Sequence, residues 1–191
     1  MDDLPRTKCS PLLANFVSNR LFIPVQGLEP PDNHFLNAAV GWLGLDCPHE
    51  AHAELNAIAP EFQLHPDVLE ARWALCVREQ RWEDAREIAR LEIKFQPDDS
   101  SGWLHHAYAL RRASNGGLIM AWGALLPAAE KFPKEPVIAF NLSCYACQLN
   151  ELDTSRVWLK RAIDIGGKDN VKKMALADDD LKPLWPEIAG L

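Results

Sequence analysis

The chain has 191 residues and carries 20 Lys and Arg against 27 Asp and Glu, a net charge of −7. That acidic balance argues against a general nucleic-acid or anionic-membrane binder, and no window reaches the run of about 18 apolar residues that a spanning helix needs. Five cysteines make an odd set with four of them in expected helices, which is not the pattern of a disulfide scaffold. MDDLPRTKCSPLLANFV has its acids before its bases and no secretory-leader order, so a reducing cytoplasm is the expected compartment.

Residues 1–31 stand apart from the rest of the chain. Pro5, Pro11, Pro24, Pro30 and Pro31 exclude a long helix, because proline lacks the donor and clashes with the preceding turn. Between them LLANFVSNRLFIPV is too apolar for a solvated tail. The segment is expected to cap the first repeat, the alternative being an arm that fills a groove or joins two subunits.

From residue 32 a period takes over. Small residues recur at Ala51, Ala85, Ala121 and Ser155, spaced 34, 36 and 34, and a second column runs Phe35, Leu69, Trp103, Ala139. A period near 34 marks a helix–turn–helix repeat. The first repeat, 32–65, opens with Asp32 or Asn33 as cap and places Phe35, Ala38, Ala39, Trp42 and Leu43 at helical steps. Asp46-Cys47-Pro48 breaks that helix, and the next carries Ala51, Leu55 and Ile58.

The second repeat, 66–99, has Asp67 as expected cap, then Leu69, Trp73, Cys76 and Val77, with Arg72 where an apolar residue belongs. Its second helix, WEDAREIARLEIKFQP, puts Ala85, Ile88, Ala89, Glu92 and Ile93 on one face. The third repeat, 100–135, begins at Ser100 or Ser101 and continues through Trp103, Ala107 and Leu110. Ser114-Asn115-Gly116-Gly117 lengthens its inter-helix turn and accounts for the wider spacing. Ala121, Leu125, Ala128 and Ala129 come next, closed by Phe132-Pro133. The fourth repeat, 136–169, is marked by Leu142, Ala146, Leu149, Leu152, Leu159, Ala162 and Ile163, and Gly166-Gly167 stops it. Residues 170–191 offer a short helix, the acids Asp178 to Asp180 and LKPLW, expected as a terminal cap whose acids sit in a solvated turn.

On these residues the chain resembles the tetratricopeptide repeat (TPR) family: Asn141-Leu142, Asn150 and Ala162 in the fourth repeat, Trp103, Ala121, Ala128 and Pro133 in the third, Ala85 and Pro97 in the second. The resemblance covers residues 32–169. It departs from the family at the tight helix–helix column, where glycine is replaced by Ala39, Trp73, Ala107 and Ser143. Trp73 there is bulky enough to splay the second pair or to shift its phase. The resemblance implies an all-α right-handed superhelical array of antiparallel helix pairs, an α-solenoid of four repeats plus caps. It also implies a concave face, lined by the first helix of each pair, that receives a peptide. Transferred to this chain, the groove residues are Asn37, Arg78, Leu104, His105, Tyr108, Arg112, Phe140, Asn141 and Cys144. Leu104, Tyr108 and Phe140 would supply apolar area, and Arg78, Arg112 and Asn141 would orient an acidic or C-terminal segment.

Other chemistry has thin support. Cys144-x-x-Cys147 lies within a repeat helix with no second pair for tetrahedral zinc, so small apolar packing is expected. His49-x-x-His52 lacks a third ligand. His105 and His106 point to different faces, so at most one lines the groove. No nucleophile elbow, phosphate-binding glycine loop or HExxH occurs. The expectation is a non-enzymatic adaptor without cofactor or metal that binds a protein or peptide. Alternatives are a chaperone or a homodimer using the N-terminal segment.

Overall fold

A computed structural model describes residues 27–191, so the alternatives raised for the N-terminal segment fall, for residues 1–26, outside the described residues. Within the described residues the chain is all-helical, without strands, and ten α-helices pack against their neighbours in sequence. We label them α1 (Asp32–Gly44), α2 (Pro48–Ala57), α3 (Pro66–Arg78), α4 (Trp82–Phe95) and α5 (Ser101–Arg112). They continue as α6 (Leu118–Lys131), α7 (Pro136–Gln148), α8 (Leu152–Gly166), α9 (Lys168–Ala177) and α10 (Trp185–Ala189). Short 3₁₀ turns, Pro60–Phe62 and Asp179–Leu184, join α2 to α3 and α9 to α10.

Backbone chemistry sets these limits. Pro48, Pro66 and Pro136 open α2, α3 and α7, where a missing N–H costs nothing. Asp46, Gln80 and Asn150 adopt positive φ between the two helices of the first, second and fourth pairs. Only the third pair uses a longer link. There a Cβ on Gly116 would lie 1.8 Å from the Leu110 carbonyl oxygen, so no other residue fits without moving backbone. Gly102 has the same necessity across α4 and α5, where a Cβ would meet the Ile93 nitrogen at 2.9 Å.

The expected caps are corrected. Asp32 does not cap α1; its carboxylate accepts from the Ala59 N–H at 2.7 Å and ties the first pair's ends together. Asp67 sits inside α3, and the His65 ring accepts from its N–H. Ser100 stands at the N-cap of α5 but its side chain makes no capping bond; the Asp99 carboxylate accepts from the Ser101 N–H at 2.7 Å instead.

The small column is the spine. Ala51, Ala85, Ala121 and Ser155 are each 0% exposed, as are Ala39, Trp73, Ala107 and Ser143 opposite. The fourth pair closes with reciprocal serine bonds: Ser143 Oγ donates to the Ser155 carbonyl (2.9 Å) and Ser155 Oγ to the Ser143 carbonyl (2.8 Å). Around them Leu36, Leu55, Leu125 and Leu142 are fully enclosed, each contributing roughly 1.5–3 kcal/mol of transfer free energy. Leu28 joins the cluster of the first pair, which fits a capping role for that end of the N-terminal segment. Arg72, out of place by pattern, reaches the Gln63 side chain and the Leu55 carbonyl and so closes α2 onto α3.

Hydrogen bonds between pairs recur one period apart. Arg78 donates to Asp46, Ser114 to Glu83, Lys131 to the Pro97 carbonyl, and Arg161 to the Ala129 carbonyl, at separations of 32, 31, 34 and 32 residues. The start of α4 is thereby tied to the link that precedes α6, and the segment that follows α4 to the end of α6. Trp122 of α6 and Trp158 of α8 meet edge-to-face with centroids 6.2 Å apart.

Candidate interaction site

The polar centre of the molecule lies where α3, α4 and α5 meet. Trp73 is enclosed, and the His105 ring stacks on it with centroids 3.7 Å apart and planes 12° from parallel. The bulky residue at the tight column is thus accommodated by a side chain of the next repeat. His105 Nδ1 is 2.7 Å from Glu92 Oε2, with both side chains buried. Tyr108 meets Trp73 and Trp82 edge-on, each at 6.0 Å.

Arg112 finishes α5 and lies over this aromatic group. Its guanidinium carbon is 3.6 Å from the Tyr108 ring centroid and 5.5 Å from that of Trp82. Its Nη1 donates to the Tyr108 carbonyl at 3.1 Å. Arg78, Arg81, Arg90, Arg111 and Arg156 each hold a carboxylate, whereas Arg72, Arg112 and Arg161 have none among the described residues; Arg72 is taken up by Gln63 and the Leu55 carbonyl, and Arg161 by the Ala129 carbonyl and the Trp158 ring. Arg112 is a part-exposed cation held by rings and one carbonyl.

The nine expected groove residues divide. Asn37 and Arg78 are exposed, and Arg78 is committed to Asp46 at 2.9 Å. Arg112 and Asn141 are half-buried, with Asn141 Nδ2 donating to the Val137 carbonyl at 2.8 Å. Leu104, His105, Tyr108, Phe140 and Cys144 are buried, so the expectation that they face a ligand is corrected. At α7 the reason is visible: the Asp179–Leu184 turn packs on that helix and occupies the face assigned to a partner. Leu104, Phe140 and Cys144 belong to the core cluster that includes Leu181 and Leu184.

Of the C-terminal acids expected in a solvated turn, Asp179 is exposed and the other two are not. Asp178 is buried and accepts from the Asp180 N–H at 3.0 Å, so the expected cap is present but enclosed. Both Nη atoms of Arg111 donate to the Asp180 carboxylate. Ligand atoms of Cys144, Asp178 and Asp180 lie within 4.8 Å of one another. The donor set is a poor fit for a cation, because the Arg111 charge already sits on Asp180. Burial, followed by the two carboxylates, also pushes the Cys144 thiol well above its ordinary value and disfavours the thiolate a metal needs. The Cys147 thiol is raised too, first by burial. His49 and His52 are exposed.

Sequence reasoning missed Glu92 and Trp82 as parts of this centre. The available signal was Glu92 itself, an acid one turn beyond Ala89 and two beyond Ala85 on the face that packs inward. No protein-family model matches the chain, and no curated protein sequence matches it either.

Proposed function

We propose that the chain is a non-enzymatic interaction module of the tetratricopeptide type, in which the helix pairs stack as a right-handed array and a partner's carboxylate docks at Arg112. The recurrence of inter-pair hydrogen bonds at 31 to 34 residues supports the stacking. One observation carries the ligand chemistry: a guanidinium fixed by two rings and a carbonyl, with its remaining donors uncommitted to any acid among the described residues. A planar donor fork held this way is suited to a carboxylate. The half-buried Asn141 and exposed Asn37 offer further polar contacts along the first helices, while the buried Leu104, Tyr108 and Phe140 support the site from beneath. The partner is an acidic or C-terminal protein segment met in the cytoplasm.

The test is a peptide library presented to the full chain with free or amidated C-termini and with or without acidic residues. Wild type should enrich carboxylate-bearing peptides, and Arg112→Glu should lose them while Arg90→Glu keeps them. Enrichment indifferent to Arg112 would sink this reading.

A further inference from the structure

The links inside the first, second and fourth helix pairs are built alike. The Cys47 N–H donates to the Trp42 carbonyl, the Arg81 N–H to the Cys76 carbonyl and the Glu151 N–H to the Ala146 carbonyl, each at 2.9 Å. The residue before each donor has positive φ: Asp46 (59°), Gln80 (57°) and Asn150 (62°). Asp46 and Gln80 are therefore equivalent positions in successive pairs. The arginines that follow them are equivalent too, for Arg78 is the last residue of α3 and Arg112 the last of α5. Each arginine lies 32 residues beyond its link position.

The two steps differ in what holds the arginine. Arg78 Nη1 donates to the Asp46 carboxylate at 2.9 Å. Gln80 offers an uncharged amide in that place, and Arg112 lies instead on the Tyr108 and Trp82 rings. One period earlier those ring positions are Ala74 and Pro48, which have no aromatic face to offer. The acids flanking Gln80 and Trp82 are already engaged: Glu79 and Asp84 by Arg81, and Glu83 by Ser114.

We propose that Gln80 is the specificity-determining residue of the Arg112 site: standing uncharged where the first link carries Asp46, it leaves that arginine to a single Asp or Glu side chain of a partner. This rests on the proposed docking of a carboxylate at Arg112, and adds the residue that keeps the position open. Arg112 Nη1 is spent on the Tyr108 carbonyl at 3.1 Å, which leaves Nε and Nη2 uncommitted among the described residues. Those two nitrogens share one edge of the planar guanidinium, a fork that matches one carboxylate. Elsewhere in the chain the same edge is filled in this way: Nε and Nη2 of Arg156 donate to the two oxygens of Glu187 at 2.8 and 2.7 Å. Gln80 is exposed and Arg112 part-exposed, so an acid from outside has access.

The probes are two pools of short peptides, acetylated and amidated, built of uncharged residues around a central aspartate or a central asparagine. Wild type and Gln80→Asn, as immobilised full chains, should retain the aspartate pool about tenfold over the asparagine pool. Gln80→Asp should retain the two pools alike, because Arg112 is then closed from within the chain. Aspartate already occupies the same positive φ at position 46, so the link tolerates it. Urea midpoints give a readout that needs no peptide. Gln80→Asp should exceed Gln80→Asn in midpoint, and the advantage should vanish when both also carry Arg112→Met, which removes the charge from over the rings. A Gln80→Asp chain that still prefers the aspartate pool, or a midpoint advantage that is absent or survives Arg112→Met, would overturn the assignment of Gln80 and leave the carboxylate site at Arg112 standing. A wild type that retains both pools alike would overturn both.

Discussion

His105 lies flat on Trp73 and hydrogen-bonds Glu92, so one imidazole joins the second helix pair to the third. Removing its partner should be costly in a site this enclosed. Glu92→Ala is expected to destabilise the chain by about 1–3 kcal/mol through the lost buried bond, and Trp73→Ala by about 3–5 kcal/mol through the cavity. Urea unfolding of His105→Ala, Trp73→Ala and the double variant should give a coupling of roughly 0.5–3 kcal/mol. Simple additivity would show that the stacking contact carries no energy of its own.

The Arg111–Asp180 clamp holds the C-terminal turn over α7. Its side chains are about 15% and 14% exposed, between a surface pair and a buried one, so Asp180→Ala is expected to cost about 1–3 kcal/mol. Cys144 reports on it. Wild-type Cys144 should resist alkylation relative to the unfolded chain by about tenfold or more, since burial raises its thiol. In Asp180→Ala it should react faster as the turn loosens. Equal rates in the two folded proteins would mean that α7 stays covered without the clamp.

Much of the fold was legible because a repeat constrains the same positions several times. The column Ala51, Ala85, Ala121, Ser155 is fully buried, Gly166-Gly167 ends α8, and the lengthened third turn is where Gly116 requires it. The site was less legible because period places a residue on a helix face but not under a neighbouring segment. Phe140 and Cys144 were expected outward on the strength of the family resemblance, yet Leu181 and Leu184 belong to the same core cluster, across the turn that packs on α7. That turn is outside the repeats, so no periodic signal could reveal it. The cap expected at Asp32 failed for a related reason, since its carboxylate serves the Ala59 N–H 27 residues away; at α5 the bond is local, and Asp99 supplies it in place of either serine.

His106 gives the chain a pH dependence. Burial, then the charges of Arg90 and Arg86, lowers its pKa below the usual 6.5. The folded state therefore prefers the neutral ring, and the unfolded state binds a proton first on acidification. Its contribution is complete above 6.5 and is lost as pH falls through the folded value. The stability of wild type relative to His106→Gln should decline between neutral pH and pH values below 6.5, measured by urea midpoints. A constant difference would show that the ring has no titration linked to folding.

The small column offers a test of whether the repeats are equivalent in energy as well as in sequence. Ala85, Ala121 and Ser155 each face a fully buried partner helix, with no room for added methylenes. Ala85→Leu, Ala121→Leu and Ser155→Leu should each cost about 1–3 kcal/mol by overpacking. Ser155→Leu should be the worst of the three, since it also removes the hydroxyl that donates to the Ser143 carbonyl, a bond contributing about 0.5–1.5 kcal/mol. Ser155→Ala should lose the hydroxyl's bonds to the Ser143 carbonyl and to the Ser143 Oγ and keep the packing, so the two fourth-pair variants separate volume from polarity. If Ala121→Leu were tolerated while the other two were not, the third pair would have slack that its long turn supplies, and the columns would be equivalent in position alone.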